Sequence, residues 1–201
     1  MSFVVKQSLA GLRVLLVFTV LLGVLYPLGV GLVARVPGLE AHAEGSVVSV
    51  NGQAVGSSLI GIDPVAPDPA HDPYFHTRPS ATASDPLGQG NPAISGGSNK
   101  GAFNDDLVAA IQQRKNAIAE REGVSPAEVP ADAVTASASG VDPDISVAYA
   151  DLQVARVARN TGLSEGKVRQ LVAENTTGYG IGLPGVNVLT LNLAVRAAGA
   201  H

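Results

Sequence analysis

Two histidines, His71 and His76, flank Asp72 in a proline-rich stretch, and imidazole beside carboxylate is the pairing that metal sites and general bases use. Their five-residue spacing is not the i, i+4 helical pair of a zinc protease, and no third ligand is implied, so His76 reads as a hydrogen-bonded structural side chain. Ile94-Ser95-Gly96-Gly97-Ser98-Asn99 runs toward a helix start at Asn104, and glycine-rich turns before helices can cradle phosphate through backbone N–H groups. The P-loop spacing and its Lys-Ser/Thr pair are missing, and Asp105 and Asp106 would oppose a phosphate at that helix end. A structural turn is the better reading. Thr177-Gly178-Tyr179-Gly180 has the look of a potassium filter, but a filter needs four converging loops held by membrane helices. It reads as a glycine-rich turn. No Gly-x-Ser-x-Gly elbow frames a serine, and Asp142 and Asp144, which straddle Pro143 beside a helix start, read as caps rather than a catalytic pair.

What must position these residues follows from composition. The chain has 201 residues, 13 Lys+Arg against 17 Asp+Glu, and no cysteine. A net charge of −4 gives no footprint for nucleic acid. The absence of cysteine excludes disulfide scaffolds and thiolate chemistry. Apolar residues concentrate at 14–34, 21 residues without a charge between Arg13 and Arg35. A helix of that length spans about 30 Å, the thickness of a bilayer's hydrocarbon core. The rival reading is a signal peptide cleaved after Ala41-His42-Ala43; its apolar region would be shorter than this one. Lys6, Arg13 and the terminal amine precede the span, so the positive-inside rule places the N-terminus in the cytoplasm and the rest outside. Pro27, Gly23 and Gly29 permit a kink and the close approach of another membrane helix. The expected organisation is a cytoplasmic tail at 1–13, a transmembrane helix at 14–34, a stalk at 35–45 and one extracytoplasmic domain at 46–201.

Residues 44–201 carry 10 basic and 16 acidic side chains. Asn51-Gly52 between β-branched runs predicts a hairpin. Seven prolines between positions 64 and 92 exclude a helix interior or central strand there. Tyr74-Phe75 nevertheless marks an ordered, extended segment, its aromatics buried either in the domain's own core or against a partner. Caps predict helices from Asn104 to Gly123, a short turn at Ser125-Pro126, a helix from Ser146 through Tyr149, Leu152 and Ala155 to Gly162, and another from Ser164. Leu189, Leu191 and Leu193 alternate with Val188, Thr190 and Asn192, which predicts a closing strand. The class is α+β: one N-terminal transmembrane helix followed by an extracytoplasmic α/β-type domain, without a visible active site. Tyr74, Phe75, His76 and Arg78 are candidates for a partner interface, because aromatics and arginine dominate interface energetics and a proline-rich strand loses little entropy on docking.

Over nearly its whole length the chain resembles the KdpC family, accessory subunits of the Kdp potassium-transporting ATPase. The match lies in Thr19, Gly23 and Tyr26-Pro27-Leu28; in Gly45-Ser46 and Val55-Gly56-Ser57-Ser58-Leu59-Ile60-Gly61; in Tyr74-Phe75-His76 with Arg78-Pro79-Ser80-Ala81; and in Ser95-Gly96-Gly97-Ser98-Asn99. It continues from Val129-Pro130 to Ile145-Ser146, then Gln153 with Arg156-Val157-Ala158, and ends in Val186-Asn187-Val188-Leu189 and Leu191-Asn192-Leu193-Ala194. Thr77, Asp144 and Gly185 stand where the family pattern has glycine, histidine and arginine. The resemblance implies a noncatalytic subunit in a bacterial inner membrane, partnered by lipid, a channel-like potassium-translocating subunit and a P-type ATPase subunit, with Thr19, Gly23, Tyr26 and Pro27 facing a partner. No Asp-Lys-Thr-Gly phosphorylation motif is present, so this chain is not the ATPase. The family is also described as a catalytic chaperone raising the pump's ATP affinity, which implies Ser95, Gly96, Gly97, Ser98 and Gln153 as nucleotide-related residues. No cofactor is expected to be firmly bound, and ATP would enter through the complex. The alternative is a secreted or anchored protein that binds a small ligand.

Overall fold

In a computed structural model, which describes residues 2–178 and 182–199, the chain divides into two compact units, residues 1–47 and 48–201. The first is built on a helical run from Phe3 to Val33 that is long and apolar enough to cross a membrane. It comprises α1 (Phe3–Val20), a π-helical turn (Leu21–Leu25) and α2 (Tyr26–Val33), followed by a short α3 (Glu40–Ala43). The basic segment read as a tail is thus itself helical from Phe3.

The expected hairpin follows, β1 (Val47–Val50) and β2 (Gln53–Ser57), all but its first residue in the second unit. Asn51 and Gly52 both take positive φ, 52° and 79°, the geometry of the primed turn that matches the twist of paired strands. The proline-rich stretch then runs extended, apart from one 3₁₀ turn at Pro69–His71. Residues 62–80, here called the strap, lie partly in the core: Phe75 is fully buried, and His76, Thr77 and Ser80 are nearly so.

The helices start and stop where local chemistry dictates. α4 (Asp105–Glu122) is capped by the Asn104 side chain, which accepts from Leu107 N, and ends on left-handed Gly123. Ser125 and Glu128 form a capping box around a 3₁₀ turn, and α5 (Ala131–Val134) follows. After β3 (Asp144–Ser146), Ser146 caps α6 (Val147–Thr161), which stops at Gly162, and Ser164 caps α7 (Glu165–Glu174). β4 (Thr176–Thr177), β5 (Gly185–Asn187) and α8 (Val188–Gly199) complete the fold. β5 lies between β3 and β4 in an antiparallel sheet, with Ile145 opposite Val186. Phe75, Ile118, Tyr149, Val157, Val168 and Leu191 share one core, and each large apolar side chain fully withdrawn from water contributes about 1.5–3 kcal/mol.

One expectation is corrected here. The stretch read as a closing strand is α8, because alternation over six residues also fits a helix. The buried positions are Val188, Leu191 and Val195, three and four apart, and Asn187 Oδ1 accepts from Thr190 N as the cap. The helix expected between Ser146 and Gly162 forms as α6, and its buried face runs through Tyr149, Ala150, Gln153, Val154, Arg156, Val157 and Ala158. Of the filter-like turn, Tyr179 and Gly180 lie outside the described residues.

Candidate functional site

The strap poses an accounting problem, since a buried chain needs partners for its N–H and C=O groups and prolines forbid a regular strand ladder. Helix side chains supply those partners. Asn192 on α8 accepts from Phe75 N at 2.8 Å and donates to Phe75 O at 2.9 Å, standing in for a neighbouring strand. Gln153 on α6 does the same for the next residue: its Oε1 accepts from His76 N at 2.8 Å, while Nε2 donates to Tyr149 O at 3.2 Å and to His76 O at 3.4 Å. Arg156, one turn further on, donates through Nη1 to Asp72 O and Tyr74 O, both at 2.9 Å, and Asn160 Nδ2 reaches Asp72 O at 2.8 Å. The strap is thus fixed by four side chains from two helices.

Beneath this clamp lies a buried ionic network. Arg156 Nε donates to both oxygens of Glu122, whose side chain is completely buried, and Arg156 Nη1 stands 3.4 Å from Asp72. Arg121 bridges Glu122 and the Tyr149 hydroxyl. His76 faces a carboxylate with each ring nitrogen, Asp63 through Nδ1 and Asp72 through Nε2, and Asp63 also accepts from Thr77 N at 2.7 Å. Burial pushes the Tyr149 hydroxyl up, which keeps it neutral between its charged neighbours. Burial also raises the Asp72 carboxyl, but the hydrogen bond and charge of His76, the Tyr74 N–H and Arg156 outweigh it and hold Asp72 below the usual aspartate value.

That shift has a sign. A carboxyl depressed in the folded state contributes stability above its unfolded value, near 3.8, and loses it as pH falls through the lower folded value. Acid unfolding of the wild type should therefore steepen below about pH 4. Asp72→Asn is expected to remove that part of the acid limb while lowering stability at neutral pH, read as thermal midpoint against pH.

The candidate residues fall into three groups. Phe75 and His76 are interior. Arg78 is turned inward as well: Nη1 donates to Asp142 at 2.8 Å and Nη2 reaches Thr135, while Nε is buried without a protein partner. Tyr74 is half-buried and lines a surface groove of about 500 Å3 with Asn160, Asn192 and Arg196. Gln153 and the Ser95–Ser98 loop have different partners. Gln153 is fully buried and spends its carboxamide on the strap, whereas Gly96 N donates to Ser139 O at 2.7 Å and Gly97 packs on Ala138. Thr19 and Gly23 lie one turn apart on the apolar helix, with Tyr26 and Pro27 just beyond. Asp142 and Asp144 are not caps: Asp142 accepts from Arg78 and Ser139, and Asp144 sits in β3 and accepts from Asn187. His71 pairs with Asp68 at the surface. The sequence reading passed over Asp63, Glu122 and Asn160, and gave Asn192 only a place in the closing strand and the family pattern. A signal did exist in α6, where Gln153 and Arg156 occupy the apolar face.

Among the described residues no group of three or more His, Cys, Asp or Glu is arranged to hold a metal. Asp72, His76, Glu122, Gln153 and Arg156 are committed to one another and to the strap backbone, and what they define is an α+β domain whose buried ionic network fixes an extended strap, carried on a chain with a long apolar helix. Residues 8–197 match the model of the family described as "K+-transporting ATPase, c chain". The chain is 46% identical over 197 residues to the potassium-transporting ATPase KdpC subunit of Kineococcus radiotolerans, covering 96% of this chain and 94% of that one. It is 48% identical over 184 residues to the KdpC subunit of Polaromonas naphthalenivorans, covering 90% and 89%. To that of Koribacter versatilis it is 42% identical over 192 residues, covering 94% and 93%. The chain belongs to the KdpC family.

Proposed function

We propose that this chain is a noncatalytic, single-pass subunit of an ATP-driven potassium-uptake complex, assembling and stabilising a channel-like subunit and a P-type ATPase subunit from the outer face of a bacterial cell membrane. The observation that carries the reading is the family match, which spans both the apolar helix and the domain. Lys6 and Arg13 ahead of the uncharged stretch support an inside N-terminus. The test is affinity purification of the tagged full chain in mild detergent from cells expressing the whole complex. Recovery of two large membrane subunits is expected, and recovery of the chain alone would overturn the reading. N-terminal sequencing of the same sample checks the anchor, since a chain beginning at Glu44 would mean a cleaved signal.

Nucleotide is expected to act through the complex rather than on this chain. What supports this is the position of Gln153, buried with its carboxamide spent on the strap. Gln153→Ala should lower the thermal midpoint without any nucleotide present, and Mg-ATP titrated into the wild-type full chain should give no saturable heat. Saturable submillimolar binding would instead favour direct contact. The groove beside Tyr74 falls within the roughly 300–1,000 Å3 typical of ligand sites and favours the alternative, a small-ligand binding protein. A small molecule retained by the purified chain would support that alternative.

A further inference from the structure

The apolar helix widens by one residue near its middle. Over Leu21–Leu25 the backbone takes the π form, in which an N–H reaches five residues back instead of four. Accordingly the N–H of Tyr26 donates to Leu21 O and not to Leu22 O, its acceptor in a regular helix. The next residue is Pro27, which has no N–H to give. Leu22 O therefore loses its donor in both registers, and Gly23 O loses the one it would have in the ordinary register. The bulge and the proline together free backbone acceptors at one level of the helix.

That level matters. Positions 22 and 23 lie near the centre of the uncharged stretch 14–34, and all the described residues up to Val33 are exposed. In hydrocarbon no water is at hand to satisfy a freed carbonyl, and such groups are met by neighbouring helices or side chains. The Thr19 hydroxyl on the same stretch is already used, donating to Leu15 O at 2.8 Å. Next to the freed carbonyls, Gly23 carries no side chain, and a Cβ there would lie 4.0 Å from Thr19 Cγ2. The surface thus has a shallow notch where another backbone can come close.

We infer that the notch at Thr19 and Gly23 seats a membrane helix of another subunit, and that this helix presents a hydrogen-bond donor side chain, a hydroxyl, carboxamide or indole, to Leu22 O. The inference rests on the reading of the chain as an anchored subunit of a membrane complex. A purely apolar helix could fill the notch but would leave the carbonyl unmet, so the freed acceptor specifies the chemistry of the partner. Pro27 serves as a specificity residue by holding that acceptor open.

The experiment uses the full chain in the assembled complex, purified in detergent and washed stringently. Pro27→Ala restores an N–H and the regular register, and retention of the subunit should fall about five- to thirty-fold, the worth of one interhelical hydrogen bond in a membrane. Gly23→Leu, which fills the notch, should act in the same direction, while Val17→Ala, off that face, should leave retention unchanged. A high-resolution map of the wild-type complex gives a readout independent of variants. A side-chain donor within about 3.2 Å of Leu22 O is expected. Only apolar atoms beside that carbonyl, or undiminished retention of Pro27→Ala, would overturn the inference. Loss of the wild-type chain itself from the complex would instead overturn the parent reading.

Discussion

Arg156→Ala should destabilise the α+β domain by about 3–5 kcal/mol, a large share of the 5–15 kcal/mol that a domain of this size has to lose. The alanine would strip Glu122 of its main partner while that carboxylate stays completely buried, and would remove the donors that hold Asp72 O and Tyr74 O. Removing one member of a buried pair leaves an uncompensated charge, which costs far more than the pair contributed. Equilibrium denaturation of the full chain in detergent, followed by far-ultraviolet dichroism, measures it. Arg156→Lys separates charge from geometry: it keeps the cation but cannot reach Glu122, Gln153 and the two carbonyls at once, so most of the loss should persist. A change below about 1 kcal/mol for Arg156→Ala would mean that water replaces the guanidinium and that the strap does not depend on it.

The second large effect separates the two adjacent aromatics. Phe75→Ala should cost about 3–5 kcal/mol, because the ring is fully buried in the shared core and its backbone is pinned by Asn192 on both sides. Tyr74→Ala should change stability by less than about 1 kcal/mol, since the ring is half-buried beside an open groove. If Tyr74 docks a partner subunit, Tyr74→Ala will weaken co-purification while the thermal midpoint holds. Equal losses of midpoint from the two variants would show that both rings belong to the domain's own packing. Arg78→Ala belongs with Phe75 in this respect: its ion pair with Asp142 ties residue 78 to residue 142 within the domain, so the midpoint should fall.

What the sequence determined by itself was local or compositional. An uncharged apolar run needs no partner to be read, and it forms part of one helical run from Phe3 to Val33. The Asn51-Gly52 turn and the caps at Asn104, Ser146 and Ser164 act within three residues, as do the stops at Gly123 and Gly162, so their chemistry is complete in the string of letters. Seven prolines between positions 64 and 92 were enough to exclude a helix interior or a central strand from that stretch.

Only the tertiary structure decided the rest. Whether 188–193 forms strand or helix turned on which side chains met the core, since six residues fit both periods and packing on α6 and α7 selects the helical one. Phe75 and Tyr74 are neighbours of similar chemistry, and it is the docking of the strap on α6 and α8 that buries one ring in the core and leaves the other at the groove. Gln153 reads as a possible ligand contact until the strap lies across it. The network of Arg156 with Glu122, Asp72 and Tyr74 joins positions up to 84 apart, and His76 closes it from the strap side. Pairings at that separation leave no periodic trace in a sequence, because the free energy that fixes them arises only when burial removes the water that would otherwise satisfy each charge.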